Sequence, residues 1–239
     1  MAGELPIRRR DWLSMVGAAT AYACTSPAFA VAKLYGRVAT YDFVSSGVVK
    51  GSQQTVCSPD GSLDVRFQFI DRGRGPALHS TISLDYAGFI SKLRTTGYNY
   101  MKVTVDERFV ARDGTAAWKN AAERETQSYS APRFYISMDG SPEEGAIMVR
   151  AALRARSASL QLWPNGVTNV AAVKTLVASN GLTSKRVTMY EANGLDFTPV
   201  AIWLDDSGEL FMSGDGWGAV VRSGWNAVLP DVYKRQPHS

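Results

Sequence analysis

SLDVRFQFIDRGRGPALHSTISLDYAGFISKLRTTGYNYMKVTVDERFVARDGTAA, residues Ser62 to Ala117, decides the fold. Leu63, Val65, Phe67 and Phe69 alternate with Asp64, Arg66 and Gln68, the period-two pattern of a strand with one wet face. Asp71-Arg72-Gly73-Arg74-Gly75-Pro76 breaks the pattern, and His79 to Leu84 resumes it. Asp85-Tyr86-Ala87-Gly88 makes the next turn before Phe89 to Thr95. Gly97 interrupts, Met101, Val103 and Val105 alternate again, and Asp113-Gly114 is a hairpin signal. Connections this short enforce antiparallel neighbours, because a parallel pair needs a crossover of a dozen or more residues.

Working outward, Ser45-Ser46-Gly47 turns a first hairpin between Leu34–Phe43 and Val44–Gln54, and Ser58-Pro59-Asp60-Gly61 a second. Lys119 to Ser130 is charged and without period, and reads as a loop. Ser141-Pro142-Glu143-Glu144 opens a helix: serine caps, proline suits the first position and Glu144 closes a capping box. Leu160, Leu162 and Trp163 form a short strand ended by Pro164-Asn165-Gly166. Val167 to Ala178 suits either helix or strand, its alanines favouring one and its valines the other. Arg186 to Glu191 alternates, and Val200–Leu204 with Glu209–Met212 makes a hairpin. Val221, Trp225, Val228 and Leu229 recur at helical spacing, which predicts a helix over Ala219 to Leu229. The expected class is α+β, mostly β: a curved, half-barrel-like antiparallel meander packed by one or two helices.

The ends are read separately. Arg8-Arg9-Arg10, the apolar run from Trp12 to Ala19 and Ala28-Phe29-Ala30 are the three parts of an export signal, and Arg9-Arg10-Asp11-Trp12-Leu13 resembles a twin-arginine leader. Residues 1–30 are thus expected to be removed, leaving the chain periplasmic or extracellular. Cys24 raises a lipoprotein alternative, but Ala21-Tyr22-Ala23-Cys24 fits the lipidation pattern poorly. Asp231-Val232-Tyr233-Lys234-Arg235-Gln236 back-translates as GAT GTG TAT AAG AGA CAG, which resembles a transposon end used in sequencing libraries; residues 231–239 are expected to be a non-native tail. Between them lie residues 31–230, about 200 residues, enough for one domain with a real core. The formal charge is +4, of which leader and tail each carry +1, so the remainder is near +2 and offers no concentrated basic face for nucleic acid. The apolar leader run is too short for a stable transmembrane anchor. Cys57 stands alone once Cys24 leaves, which excludes an internal disulfide; it reads as a small half-buried residue.

No catalytic, cofactor-binding or metal-ligating residue can be assigned. The remainder holds one histidine, His79, with no His-x-His, His-Glu-x-x-His, paired cysteines or Gly-x-Ser-x-Gly elbow. A hydrolase centred on His79 has no supporting spacing, and the residue reads as satisfied or exposed. Glu143-Glu144 fits a cap better than an acid–base or metal pair. Gly214-Asp215-Gly216-Trp217-Gly218 lacks Rossmann spacing and the P-loop lysine, and reads as a tight turn feeding Trp217 into the core before a helix. Gly73 and Gly75 sit in a hairpin connection, and Asp205, Asp206, Ser207 and Glu209 miss the EF-hand spacing. Aromatics are plentiful: Tyr35, Tyr41, Phe43, Phe67, Phe69, Tyr86, Phe89, Tyr98, Tyr100 and Phe109. They suit either a core beneath the helices or a sheet lined for an apolar ligand.

Asp71 to Pro76, Val105-Asp106-Glu107-Arg108-Phe109, Phe197-Thr198-Pro199-Val200-Ala201-Ile202-Trp203-Leu204-Asp205, Gly216-Trp217, Val220-Val221-Arg222 and Gly224-Trp225 stand in order. Together they resemble the region between signal and catalytic barrel in exported imidazolonepropionase-like amidohydrolases, over Tyr35 to Pro230. The resemblance implies a non-catalytic accessory domain whose partner is a downstream barrel of the same chain, and a divalent metal, zinc by the family's habit, only in that barrel. The alternative expectation is a periplasmic module that holds a lipid or other apolar ligand in a β half-barrel.

Overall fold

The computed structural model describes residues 36–230; the leader and the tail lie outside the described residues. The strands are β1 (Arg37–Ser45), β2 (Val48–Cys57), β3 (Leu63–Phe69), β4 (Ala77–Leu84), β5 (Ile90–Tyr98), β6 (Thr104–Arg112), β7 (Thr115–Lys119), β8 (Arg124–Ser128) and β9 (Phe134–Tyr135). Helix α1 (Pro142–Ala155) follows, then β10 (Ser159–Trp163), β11 (Val167–Ser179), β12 (Ser184–Asn193), β13 (Val200–Asp205), β14 (Leu210–Gly214) and β15 (Ala219–Arg222). All the strands form one sheet in the order β8 to β1, then β15 down to β9. It is two meanders joined where the ends of the described chain meet: β1 pairs with β15 in the register Tyr41↔Arg222 and Val44↔Ala219. Every pair is antiparallel except β9 with β10.

The alternation expected of Leu63 to Phe69 holds, whereas Met101 and Val103, expected to alternate with Val105, lie exposed in the turn before β6. Leu63, Val65, Phe67 and Phe69 are buried while Arg66 and Gln68 are exposed. Gly97 does not end its strand. It sits inside β5 at φ +131°, where a Cβ would lie 1.9 Å from the Ala77 carbonyl oxygen, so glycine lets β4 and β5 approach through a kink. Bulges at Lys50 in β2, Val173 in β11 and Phe211 in β14 add curvature.

The curled sheet wraps α1. Ile147, Met148 and Val149 have no exposed surface, and they share one apolar cluster with inward residues of almost every strand. A helix whose apolar residues are fully buried must lie inside the curl, with Glu143 and Arg150 paired to each other there. Its start is the one expected: Glu144 Oε1 accepts the Ser141 amide at 3.1 Å, behind Pro142. The free edges β8 and β9 do not pair with each other. Side chains join them instead: Phe109 stacks on Tyr135 at 4.2 Å, Trp118 meets Trp163 at 5.3 Å, and the Tyr135 hydroxyl donates to Glu107 at 2.8 Å.

Three local readings change. Lys119 to Ser130 contains a strand, β8, whose residues are all exposed and therefore carry no hydrophobic period. Val167 to Ala178 is strand, decided by its long pairing with β12. The helix expected over Ala219 to Leu229 is instead β15 followed by a 3₁₀ turn, Asn226–Val228. The apolar residues do converge: Val221, Trp225, Val228 and Leu229 join Trp203 and Met212 in a second cluster on the outer face. Gly224 at φ +83° lets the chain fold back, and Ser223 and Asn226 donate to the Asp42 carboxylate at 2.8 and 2.9 Å.

Phe109→Ala opens the edge seam and is expected to lower the unfolding free energy by about 3–5 kcal/mol, read from the urea midpoint. Val110→Ala, one residue along on the outer face, is expected to change it by about 0.5 kcal/mol or less.

Candidate functional site

The site lies at the end of the sheet where β1, β3, β5 and β14 terminate. Four tight turns sit side by side there. Ser46 and Gly47 both have positive φ, as do Arg72 and Gly73, the pattern that two-residue hairpin connections need. The turns are tied together. The Gly75 amide donates to the Tyr100 carbonyl at 3.1 Å, Lys102 Nζ to the Gly75 carbonyl at 2.7 Å, and Lys50 ion-pairs with Asp71.

An aromatic floor underlies these turns. Phe43 and Phe69 stack at 3.9 Å, and Phe67 tilts against Phe69 at 5.7 Å; all three are buried. Trp217 lies edge-on to Phe43 and Phe69 at 6.4 and 6.3 Å, and Tyr100 is 6.1 Å from Phe69. Trp217 is 54% exposed and Tyr100 36%. Gly218 makes this approach possible: a Cβ there would lie 2.7 Å from Phe43 Cζ. The turn is as expected, but Trp217 is not sunk in the core, and a strand, not a helix, follows it. The Asp215 carboxylate accepts the Trp217 and Gly218 amides at 2.8 and 3.2 Å, so those donors are spent on the turn rather than offered to an anion.

The other residues weighed on sequence fall elsewhere. His79 lies on the outer face, 45% exposed, with Nε2 2.6 Å from Asp64 Oδ2. It borders an open polar groove of about 570 Å³ that Ser52, Gln54, Arg66, Gln68 and Thr96 also line. Tyr86 is fully exposed at the opposite end, while Phe89 and Phe109 pack inward on Phe134 and Tyr135. Asp205 accepts from Ser207, Glu209 and Lys185 in its hairpin. Burial raises its pKa, but Ser207 and Lys185 outweigh that and hold the carboxyl below its usual range. Burial pushes the Cys57 thiol up, away from the thiolate form.

Glu143 and Glu144 part company. Glu143 takes Arg150 Nη2 at 2.8 Å and Thr55 Oγ1 at 3.3 Å, part of a polar chain in the lower lumen. Glu144 serves the helix start and the Ser137 hydroxyl. Burial, countered by those hydrogen bonds and aided by the charge of Glu107, pushes Glu144 up to about 7. Burial also raises Glu107, against the Met138 amide and the Tyr135 hydroxyl that it accepts. Among the described residues no three His, Cys, Asp or Glu groups converge as metal ligands, and no helix is long and apolar enough to cross a membrane.

No family model matches the chain, and no curated protein matches it. A solved structure of similar shape is the beta-barrel-like protein of domain of unknown function DUF1849 from Brucella abortus, at 12% identity and a TM-score of 0.49, covering 80% of this chain and 95% of that chain. This corrects the likeness to the pre-barrel region of imidazolonepropionase-like amidohydrolases. No family model and no curated protein of that kind matches the chain, so that likeness is withdrawn. The quoted motifs lie in the turns, strands and edge seam of a sheet that packs its own helix.

Glu144 gives the fold a pH dependence. Its folded pKa, about 7, exceeds the ordinary glutamate value of 4.5, so the folded state holds the proton more tightly. The associated stability is full below the lower value and is lost as pH rises through the upper one, about 3 kcal/mol in all. Glu144→Gln is expected to flatten the fall in urea-unfolding free energy between acid and mildly alkaline pH, with the residue of the slope left to Glu107.

Proposed function

We propose that the protein is a binding module for an apolar ligand, such as a lipid acyl chain, taken at the aromatic rim. One observation carries the reading: Trp217 and Tyr100 stand half-open over a buried floor of Phe43, Phe67 and Phe69. Aromatic rings that are only partly covered offer large apolar area at low ordering cost, and ligand sites are lined in this way. The lumen of the half-barrel is not the place for the ligand, because α1 fills it. The reading needs no catalytic residue, metal or cofactor from this chain. It keeps the exported location expected of the leader, where a module of this kind would meet lipids outside the cytoplasm.

Titration with a soluble fluorescent fatty acid, followed by energy transfer from tryptophan, tests it. Saturable binding is expected in the wild type. Trp217→Ala is expected to weaken it about tenfold, equivalent to about 1.4 kcal/mol, and Tyr100→Ala to weaken it less. Tyr86→Ala, at the opposite end, is expected to leave it unchanged. Absence of saturable binding in the wild type, or wild-type affinity in Trp217→Ala with unaltered far-ultraviolet dichroism, would overturn the proposal.

A further inference from the structure

We infer that the same end of the sheet docks on the surface of an anionic lipid bilayer. The turn tips surrounding the aromatic floor are themselves apolar. Val48, Ile70, Tyr98, Met101 and Val103 are each at least half exposed, beside Trp217. They occupy adjacent turns, because Ile70 donates its amide to Lys50, and Gly75 donates to Tyr100. An exposed apolar patch of this extent marks an interaction surface rather than scattered surface residues.

The charge on these tips selects the partner. Arg72 and Arg74 sit in the turn between β3 and β4 and have no acidic partner among the described residues. Lys102 lies in the neighbouring turn. Asp71 is neutralised by Lys50, and Asp215 is the one exposed acid of the four turns. Tryptophan and tyrosine beside arginine and lysine around an apolar tip match the layered chemistry of a bilayer interface: acyl chains, then the carbonyl belt, then phosphate. A second copy of this chain fits less well, because a two-fold pairing of these tips would set Arg72, Arg74 and Lys102 against the same three cations. The turns are hydrogen-bonded to one another, so the surface is formed before contact and little ordering accompanies docking.

The inference rests on the apolar-rim reading for Trp217 and Tyr100, but not for the arginines, and the test separates the two. Full-length protein is sedimented with phosphatidylcholine vesicles, with and without phosphatidylglycerol. Partitioning onto the anionic vesicles is expected, falling as salt screens the attraction. The double variant Arg72→Glu, Arg74→Glu is expected to weaken it by about 25-fold or more, at about fivefold per basic residue lost. The same variant is expected to keep its affinity for the soluble fatty acid. Both substitutions lie in an exposed turn, and unchanged far-ultraviolet dichroism confirms that the variant folds. Vesicle binding that the double variant leaves intact is carried elsewhere in the chain and overturns the inference, as does equal binding to neutral and anionic vesicles. Fatty-acid binding without vesicle binding also overturns it while sparing the rim reading; vesicle binding without fatty-acid binding does the reverse.

Discussion

A sheet of this many strands curls only if something fills its concave side and something joins its edges. Here α1 supplies the first and an aromatic seam the second. Edges that do not hydrogen-bond across to one another are usually a liability, because unpaired amides and carbonyls invite another chain. In this protein β8 is short, polar and fully exposed, and β9 has only two residues, set beside β10. Phe109, Trp118, Tyr135 and Trp163 then close the shell by packing rather than by backbone bonds. Glu107 accepts the Tyr135 hydroxyl within that seam, which is why a carboxylate so deeply buried is tolerated there.

The rim inherits its form from this closure. With the lumen occupied, apolar surface in excess of the core's needs can appear only at the ends or on the outer face. On the outer face the second cluster absorbs it, under Trp225, Val228 and Leu229. At the end where β1, β3, β5 and β14 terminate no described residue covers it, and Trp217, Met101 and Ile70 are exposed. The turns there cannot retract, since glycines at 75 and 218 already bring backbone within contact of Phe69 and Phe43.

The elements legible in the chain were those whose causes are local. The β3 alternation, the Asp113-Gly114 turn and the Ser141-Pro142 helix start each depend on residues a few positions apart, and each stands where it was expected. β8 was illegible because an edge strand wet on both faces carries no period. Val167 to Ser179 was ambiguous because much of it is exposed, so only pairing with β12 settles its backbone. For the site, Phe43, Phe67, Phe69 and Tyr100 were among the aromatics singled out, whereas Trp217 was assigned to the core. The missing signal was the turn's position, not its glycines.

What the chain alone determined, then, was the local grammar: a mostly antiparallel β protein, most of its hairpins, and the start of the helix at Ser141-Pro142. Which residues meet was decided by the tertiary structure. Ser223 and Asp42, 181 residues apart, are brought together by the pairing of β15 with β1, and the same pairing carries Trp217 onto Phe43. Periodicity reports which face of a strand is dry, but it contains no information on which strand lies next to it. That depends on how α1 and the aromatic seam curl the whole sheet, an energy summed over contacts from every part of the chain.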